Sequence, residues 1–249
     1  MEKSEWSFDK DVEYYLRALE RARQEPKFEY LVSSNKEGVA SYANYVATCY
    51  YLLGKRPEAA RFGRDTVSAV LEYYFGDWRE NVKTDLGTKD SSWWHVKSAW
   101  MFSFQEGLCW ASVLGDWASA SKIVKYPTEE CVVDPTTKKE DKSAYLAVAY
   151  FLRGEPSREI HNCLDQIRCG KKEKPKLIAN IIESLQANDG AHFQKALEAY
   201  LDYFRRREFK RKDLSKLLCY DGTTLLNIGR HQGLDCKIPP VVEDYIIRL

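Results

Sequence analysis

The residues of this chain that are best suited to metal binding or nucleophilic catalysis are four histidines and seven cysteines. His161 and Cys163 lie two residues apart on a predicted helix, and Cys169 follows in the same region. This spacing matches none of the standard zinc patterns. Residues two apart on a helix also point in different directions. The sequence therefore predicts no metal ion and no other cofactor.

The easily recognised catalytic motifs are missing from the sequence. It contains no HExxH, GxSxG, GxGxxG or GxxxxGK pattern, which excludes the common peptidase, hydrolase, dinucleotide and phosphate-loop signatures. A helical ribonuclease of the Arg-x4–6-His type would need four to six residues between the arginine and the histidine, whereas Arg158 precedes His161 by only three positions. We therefore expect that the protein is not an enzyme.

Two basic runs, residues 171–176 and 205–212, could hold phosphates or an acidic protein. The second run follows a predicted helix that contains Phe204, and positive charge at the end of a helix is favoured by its macrodipole. No aromatic pair interleaves the run, as a surface for single-stranded nucleic acid would require. The chain has 38 Lys and Arg against 37 Asp and Glu, a net charge of +1. We favour the explanation that this positive charge stabilises the end of the helix, and we expect no nucleic-acid partner.

Composition places the chain among ordinary globular proteins. Its 249 residues are 44% hydrophobic and 30% charged, which excludes disorder and fibres. The odd number of cysteines, without a CxxC pair, indicates free thiols and a reducing cytoplasm. No segment approaches the ~18 uninterrupted apolar residues of a membrane span. We expect a cytoplasmic protein without a membrane partner.

Hydrophobic residues recur with a helical period almost everywhere. Phe8, Val12, Tyr15 and Leu19 mark one helix face, and Phe193 begins another. Convincing alternation with a period of two residues is absent, so the predicted fold is all-α. The predicted helices lie near residues 8–25, 36–53, 57–75, 92–114, 117–125, 141–153, 157–168, 175–188, 191–208, 213–232 and from about 240.

The breaks between helices share a form in which the chain passes a glycine and then restarts. Gly54, Gly115, Gly154 and Gly190 mark these breaks, and a proline opens the next helix at two of them. Their spacings of 61, 39 and 36 residues are too irregular for an intact tetratricopeptide array, whose period is ~34. We predict a single domain over residues 1–249. Its architecture is expected to be stacked degenerate helical hairpins, either a solenoid of tetratricopeptide type or a compact bundle.

Two stretches, residues 76–92 and 126–139, lack a helical pattern. Long loops inside compact domains are uncommon and often functional, although each stretch could equally be a surface connector. The candidate partner-binding residues are Trp78, Asp85 and Asp90 in the first stretch and Glu129, Glu130 and Asp134 in the second. The acidic residues of this set could lie over a basic or metal-bearing cleft of a partner, and Trp78 could fill an apolar pocket.

The order of segments from about residue 40 to the end resembles the immunity protein 49 family, all-helical bacterial proteins of polymorphic toxin systems. Its individual motifs are helix and turn patterns without a catalytic signature. The motifs that carry the resemblance are Ser92-Trp93-Trp94-His95, Leu114-Gly115-Asp116-Trp117-Ala118-Ser119-Ala120, Tyr145-Leu146-Ala147, Leu152-Arg153-Gly154, the helix with Phe193, Leu197 and Tyr200, Asp221-Gly222-Thr223-Thr224-Leu225-Leu226-Asn227-Ile228-Gly229-Arg230-His231-Gln232-Gly233-Leu234 and Ile238-Pro239-Pro240.

The resemblance implies a cytoplasmic antidote that binds a cognate toxin domain and blocks its active site. A helical-repeat scaffold that docks other proteins without neutralising a toxin is the main alternative, and an uncharacterised helical enzyme is a third. Asp221 is expected to cap the helix that begins near Gly222, with its carboxylate accepting backbone N–H groups.

Overall fold

All of the regular secondary structure is helical in the residues that the computed structural model describes, which are 7–24, 32–78, 100–128, 138–210 and 213–249. This confirms the predicted all-α fold. Contacts group the chain into two compact units, the first containing the described residues up to 126 and the second those from 127 to 248. A single domain over residues 1–249 stays a prediction.

The first unit is a series of helices that pack in chain order. The α-helices described there are α1 (Phe8–Arg23), α2 (Val32–Leu52), α3 (Arg56–Phe75), α4 (Trp100–Val113) and α5 (Trp117–Ile123). Each helix packs against the next, and in addition α2 contacts α4 and α3 contacts α5. Contacts between neighbours and next neighbours along the chain are typical of stacked helical hairpins.

Two glycines allow α3 and α4 to approach closely. A Cβ atom added at Gly63 would lie 2.5 Å from the Trp110 ring, and one at Gly107 would lie 2.8 Å from Val70. Trp110 and Val70 are themselves fully buried. Any larger side chain at either glycine would therefore push the two helices apart.

The second unit repeats this arrangement. Its α-helices are α6 (Lys139–Arg153), α7 (Ser157–Cys169), α8 (Glu173–Gln186), α9 (Gly190–Tyr203) and α10 (Tyr220–His231). Each helix packs against the next, and α6 also contacts α8. The apolar stripe of α9, from Phe193 to Leu201, is buried as its sequence period predicts.

Most of the hairpin turns close in the same way. At the end of α2, Gly54 N–H donates to Tyr51 at 3.0 Å and Lys55 N–H donates to Tyr50 at 2.9 Å. This pair of hydrogen bonds needs a residue in the left-handed conformation after the last helical turn. Glycine adopts that conformation without strain. The left-handed residues are Gly54 (φ 75°), Gly115 (φ 67°), Gly154 (φ 67°), Asn188 (φ 50°) and Gly233 (φ 83°). At the fourth predicted break Asn188 has this role, and Gly190 begins α9.

Two predicted helices differ from those observed. The helix predicted over 213–232 is divided into a 3₁₀ turn, Leu214–Lys216, and α10. The division follows from a long-range contact, since Cys219 N–H donates to the Tyr245 carbonyl at 2.8 Å instead of continuing a helix. The helix predicted over 191–208 ends in a π turn, Phe204–Glu208, and Phe209 N–H donates to Phe204 at 2.8 Å. A last short helix, Pro240–Tyr245, is of the 3₁₀ type.

Candidate functional site

The structure places Trp78 inside the first unit. Its side chain is 9% exposed and stacks on Tyr73, with ring centroids 5.9 Å apart. Its indole Nε1 donates to the Glu72 carbonyl at 2.9 Å. The ring is thus a core contact in this conformation, and an anchoring role toward a partner stays a prediction that requires the contact to open. Asp85, Asp90, Glu129, Glu130 and Asp134, the other predicted partner-binding residues, lie outside the described residues.

A buried polar cluster joins α2 and α4. The Asn44 side-chain amide donates from Nδ2 to Glu106 Oε1 at 3.0 Å, and its Oδ1 accepts a bond from Trp110 Nε1 at 2.8 Å. The Ser41 hydroxyl lies 3.5 Å from the second carboxyl oxygen of Glu106. Asn44 and Trp110 are fully buried and Glu106 is 8% exposed. The cluster therefore specifies how α2 and α4 face each other.

The surroundings of Glu106 favour the uncharged form of its carboxyl. Burial is the main reason that the pKa of its carboxyl is raised from 4.5 to about 8. Hydrogen bonds from Asn44 and Ser41 oppose the rise, and the charge of Glu37 adds to it. One turn earlier, the buried hydroxyl of Ser103 has no hydrogen-bond partner among the described residues.

In the second unit, Lys174 binds two carboxylates. Its Nζ lies 2.9 Å from Asp221 Oδ2 and 3.3 Å from Glu208 Oε2. The Tyr200 hydroxyl donates to the same Asp221 oxygen at 3.1 Å. The three charged side chains are between 11% and 20% exposed. We call these four residues the Lys174 cluster. It holds together α8, α9, α10 and the π turn.

The Lys174 cluster carries fixed charge. Burial alone would lower the pKa of the Lys174 ammonium, but the negative charges of Asp221 and Glu208 hold it well above its usual value. Burial and the charge of Asp221 raise the pKa of the Tyr200 hydroxyl. A general acid or base works best when its pKa lies near the working pH. Neither Lys174 nor Tyr200 meets that condition, so both act as constant hydrogen-bond donors.

The expectation that Asp221 caps α10 is wrong. The helix begins at Tyr220, so Asp221 lies inside its first turn, and Cys219 occupies the capping position. The carboxylate faces Lys174 and Tyr200 instead. The Lys174 ammonium offers this carboxylate an opposite full charge as well as a hydrogen bond, whereas a backbone N–H group offers only the hydrogen bond.

The two basic runs meet in the second unit. The Lys174–Glu208 ion pair joins the first run to the second. Arg205 and Arg206 are exposed and share Asp202, at 2.7 Å in each case, so the local helix accounts for these two arginines. Residues 211 and 212 lie outside the described part of the chain.

An aromatic surface, which we define as Tyr74, Phe75 and Tyr126, lies at the end of α3. The rings of Tyr74 and Tyr126 stack with centroids 4.0 Å apart and an interplanar angle of 3°. Phe75 meets Tyr126 edge to face at 6.1 Å, and 51% of its surface is exposed. Because Tyr74 is buried, the base of the stack is held firmly while Phe75 faces solvent.

Metal binding and membrane insertion find no support in the described residues. No group of three or more His, Cys, Asp or Glu side chains is placed there to hold a metal ion. None of the helices in the same ranges is both long enough and apolar enough to cross a bilayer.

Comparison with known proteins gives no match: no family model, curated protein or solved structure matches this chain. The resemblance to the immunity protein 49 family therefore rests on the sequence motifs alone.

Sequence reasoning missed Glu106 and the partners of Lys174. Glu106 follows Phe104 and precedes Gly107 and Leu108 in an apolar helix, and a lone acidic residue on such a face is a signal for burial. Nothing local pairs Lys174 with Asp221, because the two residues are 47 positions apart in the sequence. Such a contact becomes visible only when α8 and α10 are placed together.

Proposed function

We propose that this chain is a bacterial immunity protein, located in the cytoplasm, that binds a cognate toxin domain and neutralises it by blocking the active site. The sequence resemblance suggests that the binding partner is a toxin domain, and the stacked helical hairpins support a role in protein binding. Hairpin repeats present long rigid faces in which each helix is held by its neighbours, and such faces commonly bind proteins.

The observation that carries the proposal is the exposed Phe75 on its aromatic base. A half-exposed phenylalanine that is already fixed by Tyr126 and Tyr74 loses little conformational freedom on binding. Binding energy at protein interfaces concentrates in a few large side chains of this kind. Phe75 is accordingly proposed as an apolar anchor for the toxin.

The acidic residues predicted from the sequence remain part of the proposal. We propose that a basic or metal-bearing cleft of the toxin is faced by Glu129, Glu130 and Asp134. The negative charges of Asp85 and Asp90 are proposed to strengthen the attraction to the same cleft.

The test uses the toxin domain encoded next to this chain in its genome. Bacterial cells that express the toxin alone should stop growing, and co-expression of the full chain should restore growth. Phe75→Ala should weaken binding of the purified toxin by about tenfold or more and reduce protection. Tyr14→Ala is the matched control, because Tyr14 is an aromatic residue of α1 that is 63% exposed.

The outcomes separate the candidate functions. A chain that binds the toxin without restoring growth would be a docking scaffold. The absence of any toxic neighbour, or of binding to it, would overturn the immunity role. If Phe75→Ala and Tyr14→Ala both bind like the wild type, the aromatic surface is not the anchor.

A further inference from the structure

Three segments that are distant in sequence meet at one edge of the second unit. The Lys171 N–H donates to Glu140 Oε1 at 3.4 Å, and Lys172 forms an ion pair with Asp141, which brings the starts of α6 and α8 together. The Lys174–Glu208 ion pair adds the π turn. We call residues 138–142, 171–176 and 202–210 the electropositive edge. It contains eleven Lys and Arg residues against five Asp and Glu, whereas the rest of the chain has an excess of carboxylates.

Helix stability does not explain most of this charge. Arg205, Arg206 and Arg207 lie at the carboxyl end of a helix, where the macrodipole favours cations. The lysines at 138, 139, 171 and 172 lie instead at or just before the amino ends of α6 and α8, where the macrodipole disfavours them. Among the described residues an ion pair offsets this unfavourable placement only at Lys172, so the other three lysines indicate a use outside the folded chain itself.

Several cations of the edge are available for a partner. Lys171, Lys176, Arg207 and Lys210 are exposed, and none of them forms an ion pair within the described residues. The Lys174 cluster holds the π turn in place, so the three arginines of the π turn are presented from an ordered backbone. Charges fixed in this way lose less freedom on binding than charges on a mobile tail.

The pattern of charge favours an acidic protein over a nucleic acid. Glu140, Glu173 and Asp202 are interspersed among the cations, and they would repel the continuous negative charge of a phosphate backbone. The aromatic ring of Phe209 packs against Tyr245 with centroids 4.9 Å apart, so it serves the fold and not base stacking. A protein surface with more carboxylates than cations can match both signs.

We propose that the electropositive edge docks an acidic surface of the partner protein. This inference rests on the proposed function, so the partner is the toxin domain. The edge steers the encounter by long-range attraction, and its interspersed carboxylates select a partner with a matching pattern of charges.

The experiment compares two triple charge reversals in the full chain. The edge variant is Lys171→Glu with Arg207→Glu and Lys210→Glu. The matched control, in the first unit, is Lys10→Glu with Arg64→Glu and Lys125→Glu, which changes the net charge equally at exposed positions. Association with the purified neighbouring toxin domain is measured by stopped flow at low and high salt. A second titration uses a 20-base-pair DNA duplex.

We expect the edge variant to associate about tenfold more slowly at low salt and to lose most of its salt dependence, while the control stays within about twofold of the wild type. If both variants slow equally, net charge alone acts and the edge proposal falls. If the edge variant matches the wild type, the edge proposal falls while the immunity role stands. If the wild type itself does not bind the toxin, both fall. Loss of duplex binding with toxin binding intact would assign the edge to nucleic acid and overturn the proposal.

Discussion

Lys174 of α8 and Glu208 of the π turn form an ion pair of 3.3 Å across the second unit, although 34 positions separate them in the sequence. Asp221 joins the same ammonium at 2.9 Å. One cation thus fixes two carboxylates that belong to two other elements. The geometry of the π turn and of the start of α10 depends on it.

Lys174→Met should destabilise the protein by about 2–4 kcal/mol, because it leaves Asp221 and Glu208 largely buried without their cation. Urea unfolding at pH 7 measures the loss. Lys176→Met is the matched control, since it removes an exposed lysine from the same helix and should cost less than about 0.5 kcal/mol. Equal losses in the two variants would show that the ion pairs contribute nothing.

Glu106→Gln should remove a pH dependence from the stability of the first unit. The unfolded chain loses the Glu106 proton near pH 4.5, whereas the folded chain keeps it to about pH 8. The wild type is therefore most stable below pH 4.5 with respect to this group. It loses up to about 1.4 kcal/mol for each pH unit until the folded carboxyl ionises.

A glutamine can keep the bond from Asn44 and cannot ionise. Its advantage over the wild type should be small at pH 5 and should grow, by about 1.4 kcal/mol for each pH unit, to several kcal/mol at pH 8. Chemical denaturation at three pH values measures it, with the exposed Glu20→Gln as control. Parallel pH curves for the wild type and Glu106→Gln would refute the buried neutral acid.

Gly63→Ala should destabilise the first unit by about 1–3 kcal/mol, because the new methyl group would lie 2.5 Å from the Trp110 ring. Gly38→Ala is the matched control in α2. Its nearest neighbour would be Tyr42 at 3.5 Å, an ordinary contact, so the better helix propensity of alanine should stabilise by about 0.5–1 kcal/mol. Thermal unfolding of the two variants should therefore shift in opposite directions, and a shift in the same direction would argue against the close approach of α3 and α4.

Trp78→Ala should cost about 3 kcal/mol, because it removes a buried ring that stacks on Tyr73. Trp78→Phe keeps an aromatic ring and loses the bond to the Glu72 carbonyl, so it should cost about 1 kcal/mol. Urea unfolding ranks the two variants. Unchanged stability in Trp78→Ala would mean that the ring is free to serve as a partner anchor.

Local features of the sequence were sufficient for the helices and their ends. The period of Phe193, Leu197 and Tyr200 predicts the buried face of α9, because a helix repeats every 3.6 residues whatever it packs against. Gly54 and Gly154 predict helix ends, since the left-handed conformation after the last turn is a property of single residues. These signals act over a few residues, and they can be recognised without knowing the fold.

Only the tertiary structure decided the partners of the polar and aromatic side chains. Trp78 and Asp221 look like a loop anchor and a helix cap in the sequence, and the structure places one in the core and the other on Lys174. The same holds for Glu106 beside Asn44. Such contacts depend on which helices pack together and on how far each is shifted along the axis of its neighbour. The hydrophobic period specifies only which face of each helix is buried. The free energy of a buried charge depends on those distant neighbours, so its role follows from the packing of the helices.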